Sequence, residues 1–133
     1  MSQLLFVTGV PPGGTYAPFR GAPAFFPEMT AREIAQMTLN SHVQYGGHSD
    51  AAIDEVAKIR FADRPGFRFT FGYVTPADHE VRSEYRGTVV GDRLYMIGFS
   101  GRAAVFAGQW FDVERIMVSA RLLPDGRAAA RPG

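Results

Sequence analysis

The chain has 133 residues, 46% hydrophobic, 13% aromatic and 20% charged, which is the composition of one globular domain with a single core. Fourteen Lys and Arg against 13 Asp and Glu leave a formal net charge of +1, which excludes the strong positive field of a general nucleic-acid or membrane-surface binder. With no cysteine, a disulfide framework, a thiolate zinc site, an iron–sulfur cluster and a cysteine nucleophile are all excluded.

The first predicted element is a strand over residues 3–9, ended by Gly9 and then Pro11-Pro12-Gly13-Gly14, because prolines lack the donors a sheet needs. Residues 11–28 follow as a long segment without a period, too apolar for a solvated linker; its Tyr16, Phe19, Arg20, Phe25 and Phe26 are the candidate ligand- or partner-binding residues. Thr30-Ala31-Arg32-Glu33 is a capping box that opens a helix running to about Tyr45, with Ile34, Met37, Thr38, Ser41 and Tyr45 on one face and Gly46-Gly47 as its stop.

A meander is expected next. Ala57, Ile59 and Phe61 alternate with Lys58 and Arg60 in a half-buried strand, and Asp63-Arg64-Pro65-Gly66 reads as a turn. Phe67, Phe69, Phe71 and Tyr73 then fall on one face, the strongest strand signal in the chain, expected at the centre of the sheet. After a turn at Thr75-Pro76-Ala77-Asp78, the alternation from Val81 to Val89 and the strand from Leu94 to Phe99 flank a two-residue loop, Gly91-Asp92. A second helix is predicted from about Arg102 to Leu122, with Ser100 as N-cap and a stripe of Phe106, Trp110, Val113, Met117 and Ala120. The Trp110 side of that helix is expected to press on the Phe67-to-Tyr73 rings. Residues 1–123 make the domain, and 124–133 are expected to be a flexible tail. No apolar stretch approaches the roughly 20 residues of a bilayer crossing.

The chemistry-bearing residues do not assemble into a known motif. His42, His48 and His79 lack metal-ligand spacing; a site of His48, Asp50 and Asp54 is conceivable, but a polar loop is the simpler reading, so no metal or cofactor is expected. Asp54-Glu55 should point apart on a strand, and Asp112 with Glu114 are far apart around a helix, so neither is an acid–base pair. Gly13-Gly14-Thr15 lacks the lysine and spacing of a phosphate loop, and neither Gly46-Gly47-His48-Ser49 nor Gly98-Phe99-Ser100-Gly101 is a nucleophile elbow. Lys58 is the only lysine and the arginines are scattered, although Arg68, Arg82 and Arg86 are expected on one sheet face with Glu84. An enzyme would need His42, His79 or Glu84 to meet in one cleft.

The end of the chain carries a resemblance. Arg93-Leu94-Tyr95-Met96-Ile97-Gly98-Phe99, then Phe106, then Val113-Glu114-Arg115-Ile116-Met117-Val118-Ser119-Ala120-Arg121-Leu122 resembles the close of the PsbP-like (Mog/PsbP) fold. The Pro65-Gly66-Phe67-Arg68-Phe69 turn and strand and the Met29-Thr30-Ala31-Arg32-Glu33-Ile34-Ala35 helix start are similar to small bacterial members, many of them envelope lipoproteins. The resemblance spans about residues 3–122. It implies an α+β fold, a twisted antiparallel sheet with helices packed on it as an α/β/α sandwich, and no catalytic motif to carry over.

The family's further N-terminal strand residues and a lipoprotein's lipidated cysteine are not in this sequence. The expected compartment is therefore periplasm or envelope if an export signal has been removed upstream, and otherwise the cytoplasm. The 3–9 strand should then be an open edge, suited to strand addition. The function expected is a non-catalytic binding or assembly module of the bacterial envelope. The alternative is a carrier or sensor of a small molecule, held in an apolar pocket between the 11–28 segment and the sheet. The partner is then a protein or a small molecule and not nucleic acid, with a homodimer expected through the 3–9 edge or through Phe111 and Val118.

Overall fold

In a computed structural model of the chain, which describes residues 3–15, 24–43, 49–104, 106, 114–117, 121, 122, 128 and 129, one antiparallel sheet organises the fold. Strand β1 (Gln3–Val10) is followed by helix α1 (Ala31–Val43) and by β2 (Ser49–Phe61), β3 (Arg64–Val74), β4 (Glu80–Val90) and β5 (Arg93–Arg102). Their order across the sheet is β1-β5-β4-β3-β2. The last four strands are the expected meander, and β1 returns to pair with β5, Gln3 opposite Ser100 and Thr8 opposite Tyr95. The fold is α+β. Among the described residues no helix is long and apolar enough to cross a membrane.

Pairing register assigns every side chain to a face, because cross-strand partners point the same way. One face carries rows such as Val7–Met96–Gly87–Phe67–Lys58 and Leu5–Gly98–Tyr85–Phe69–Val56. Helix α1 covers this face, burying Ile34, Ala35, Met37, Thr38 and Leu39, with Phe25 beside them. Phe67, Phe69, Phe71 and Tyr73 are buried as the alternation requires, their rings stacked at 6.0–6.3 Å spacing along β3, and Tyr85 stacks on Phe69 at 5.4 Å. The opposite face carries Phe6–Ile97–Arg86–Arg68–Ala57 and Leu4–Phe99–Glu84–Thr70–Glu55. On it Phe61, Ile97 and Phe99 form a second core with Phe106 and Met117.

Several expectations are corrected. The aromatic strand β3 is one place from the edge, and β4 is central, because β5 recruits β1 on its far side. The turn after β2 is Ala62-Asp63, both with positive φ (53° and 61°), a tight hairpin loop in which Arg64, Pro65 and Gly66 already belong to β3. Asp50 lies in β2 rather than in a loop, and Asp54 and Glu55, strand residues as expected, do not point apart, because a bulge between Ile53 and Glu55 lets Asp54 reach Arg82 while Glu55 reaches Arg68 on the same face. Ser100 is no helix cap: β5 continues to Arg102, and the Ser100 hydroxyl hydrogen-bonds that of Ser83 across the ladder at 2.6 Å. Finally, residues 103, 104, 106 and 114–117 are helical, but Arg121–Leu122 (β6) pairs with Ala128–Ala129 (β7). The helix therefore stops before Leu122, and the expected tail contains a strand. Phe106 and Met117 pack on the face opposite the Phe67-to-Tyr73 rings; Trp110 lies outside the described residues.

Candidate functional site

A cavity of about 450 Å³ opens where the start of α1 meets the β2–β3 hairpin. The capping box fixes the helix end. The Glu33 N–H donates to Thr30 Oγ1 at 3.1 Å, and the Thr30 N–H donates to Glu33 Oε1 at 2.9 Å. A turn in which the Met29 N–H donates to the Phe26 carbonyl (3.0 Å) sets Met29 just ahead of it. Met29, Ala31 and Ile34 form one wall; Lys58, Ile59, Pro65, Gly66 and Phe67 form the other; Thr88 and Val89 of β4 complete the lining. The hairpin approaches β4 closely here, since a Cβ on Gly66 would stand 2.4 Å from the Gly87 carbonyl oxygen. The Thr88 hydroxyl donates to the Pro65 carbonyl at 2.7 Å, which ties the same two strands together.

Lys58 is the sole ionisable residue of that lining. It closes the row Val7–Met96–Gly87–Phe67–Lys58 on the face under α1, but on the edge strand β2, where the residue is exposed. Among the described residues it makes no ion pair, whereas Arg68, Arg82 and Arg86 are all paired.

The candidate residues of the 11–28 segment divide. Tyr16, Phe19 and Arg20 lie outside the described residues. Phe25 is fully buried in the α1-side core, held by the Gly13 N–H donating to its carbonyl (2.7 Å) and its own N–H donating to that of Gly14 (2.8 Å). It packs as core, which corrects its reading as a docking residue. Phe26 is 49% exposed, its N–H on Met29 Sδ at 3.3 Å. The cavity lining begins at Met29 and takes no described residue from 11–28. Lys58, the only lysine of the chain, is a lining residue outside the 11–28 segment, and its singularity was the available signal.

The titratable groups are dispersed. On α1, His42 Nε2 is 2.7 Å from the Tyr85 hydroxyl and Nδ1 3.3 Å from that of Tyr73, with its ring edge-on to Phe71 at 5.1 Å; burial pushes the Tyr73 phenol above its ordinary value. Glu84 faces the other side of the sheet. It is 3% exposed and sits between Arg86 (2.9 Å) and Arg68 (3.5 Å), in a chain of charges from Glu55 through Arg68, Glu84 and Arg86 to Glu114. Burial raises its pKa, opposed by the two arginines. His79 stands apart, its Nε2 3.1 Å from an Arg102 nitrogen. Asp50, Asp54, Glu80 and Arg82 border a second cavity of about 240 Å³, where Arg82 holds Asp54 at 3.1 Å. His48 of the conceivable metal site lies outside the described residues, and among those described no group of three ligating side chains could hold a metal ion.

The two sheet edges differ. β2 carries Asp50, Asp54, Glu55, Lys58 and Arg60 and two register shifts, the features that discourage strand addition. β1 has no charged residue and exposes Leu4 (38%) and Phe6 (49%). Phe111 and Val118 lie outside the described residues. No protein-family model matches the chain, and no curated protein matches it.

Proposed function

We propose that this chain is a non-catalytic binding domain of PsbP-like architecture that carries or senses a small, mainly apolar molecule in the cavity between the start of α1 and the β2–β3 hairpin. One observation carries the reading: a cavity of about 450 Å³ with nine uncharged lining residues and one charged one, in the size range of small-ligand sites. The dispersal of His42, Glu84 and His79 over both sheet faces supports binding over bond-making, since a general base must reach its substrate's proton within hydrogen-bond distance. The architecture agrees with an antiparallel sheet that has α1 on one face and helical residues 106 and 117 on the other. The envelope setting follows from the resemblance of the chain to that family.

A thermal-shift screen over small apolar and amphipathic molecules tests the reading. A ligand at about 100 times its Kd adds about 2.7 kcal/mol of stability, a rise of several degrees in Tm. Ala31→Trp, which fills the cavity from the helix side, should remove the rise. A library that moves Tm nowhere, or shifts that persist in Ala31→Trp, overturns it.

A further inference from the structure

The cavity is apolar over most of its lining, yet its charge is one-sided. Lys58 is the cation at its edge, the only lysine of the chain, and without an ion pair among the described residues. Ala31, in the first turn of the 13-residue helix α1, lines the opposite wall, where the capping box already takes the Thr30 and Glu33 N–H groups, so the charge a ligand meets is that of Lys58. No carboxylate stands in the lining. A neutral ligand would gain nothing from that ammonium. An anion with an apolar body would use the walls and the cation together, its body against Ile34, Phe67 and Val89 and its charge beside the ammonium.

Resting on the binding reading above, we infer that the ligand class is an amphipathic monoanion, an organic carboxylate or sulfonate with a ring or short chain, whose charged group is paired by Lys58. A hydrogen bond to a charged group contributes more than a neutral one. Loss of the pair is therefore expected to weaken an anion about tenfold while leaving a neutral analogue unaffected.

Two fluorescent probes with the same ring system separate the possibilities: 8-anilinonaphthalene-1-sulfonate, which is anionic, and N-phenyl-1-naphthylamine, which is neutral. The full chain should bind the anion more tightly, with amide shifts in NMR confined to the neighbourhood of Ala31, Lys58, Gly66 and Val89. Lys58→Met, which keeps the apolar stem, should weaken the anion about tenfold and leave the neutral probe unchanged; Lys58→Arg should retain most of the affinity. Equal binding of both probes at these amides, or an anion affinity indifferent to Lys58→Met, overturns the inference but leaves the cavity as a neutral apolar site. Shifts spread away from these amides, or no binding of either probe, overturn the inference and the binding reading together.

Discussion

Adjacent residues on β4 illustrate how far one position moves a side chain in a sheet. Tyr85 lies under α1, its ring over Gly98 of β5, where a Cβ would stand 2.2 Å from the ring; only glycine leaves that space. Glu84, one residue earlier, is buried on the opposite face between two arginines. Its pKa is raised from the ordinary 4.5 chiefly by burial, with Arg86 and Arg68 opposing, so desolvation of the carboxylate exceeds its attraction to the guanidinium groups. The folded state thus holds the Glu84 proton more tightly than the unfolded chain. By linkage its stabilising contribution is full below the unfolded pKa and is lost as pH rises through the folded one. Glu84→Gln has no such proton to lose. The stability of the native chain relative to Glu84→Gln should therefore fall as pH rises from about 4 to about 7, read from urea midpoints of both proteins across that window. A relative stability that climbs instead would show the arginine pairs to dominate.

At the scale of elements, α1 depends on its capping box. Thr30→Ala removes one reciprocal bond and should cost about 1 kcal/mol. Because Thr30 and Glu33 satisfy each other's N–H groups, Thr30→Ala with Glu33→Ala should cost less than the sum of the single changes. Both are measurable by urea unfolding; strict additivity would mean that the two bonds form independently of each other. This element, the period-2 ring pattern of β3 and the Gly91-Asp92 hairpin were legible in the sequence because each is written in consecutive residues. The close of β5 was not. Ser100 satisfies the local rule for a cap, but its hydroxyl meets Ser83 in a neighbouring strand, and the ladder runs on to Arg102. Nor was the cavity legible. Its walls come from Met29, Ala31 and Ile34, from Lys58 and Ile59, from Pro65 to Phe67, and from Thr88 with Val89, four stretches that only the pairing register and the packing of α1 bring together. Positive φ at Ala62 and Asp63 was hidden for another reason: the neighbouring Pro65-Gly66 is the stronger turn signal, and it sits instead inside β3, opposite Arg60 and Ile59.

Over the whole molecule, the order of the strands divides the sheet into a local and a distant part. β2 to β5 join through short turns: Ala62-Asp63, the Thr75–His79 turn closed by the Thr75 N–H on the His79 carbonyl (2.9 Å), and Gly91-Asp92. β1 instead pairs with β5 from the far end of the chain, Gln3 opposite Ser100. Forming that pair first would close a loop of nearly the whole domain before any other contact repays the lost entropy. The meander with its stacked rings is thus the expected folding nucleus, and β1 docks after the main barrier. Val7 of β1 is buried against the α1-side core, so Val7→Ala should destabilise by roughly 1–2 kcal/mol, enough for a meaningful φ-value. Its effect should fall almost wholly on the unfolding rate, with φ about 0–0.3, whereas Phe69→Leu, at the centre of the ring stack, should slow folding, with φ about 0.5 or more. Stopped-flow chevrons of the two variants decide the matter: a φ for Val7→Ala equal to or above that of Phe69→Leu would place β1 in the nucleus, and the sheet would then grow from its β1–β5 side.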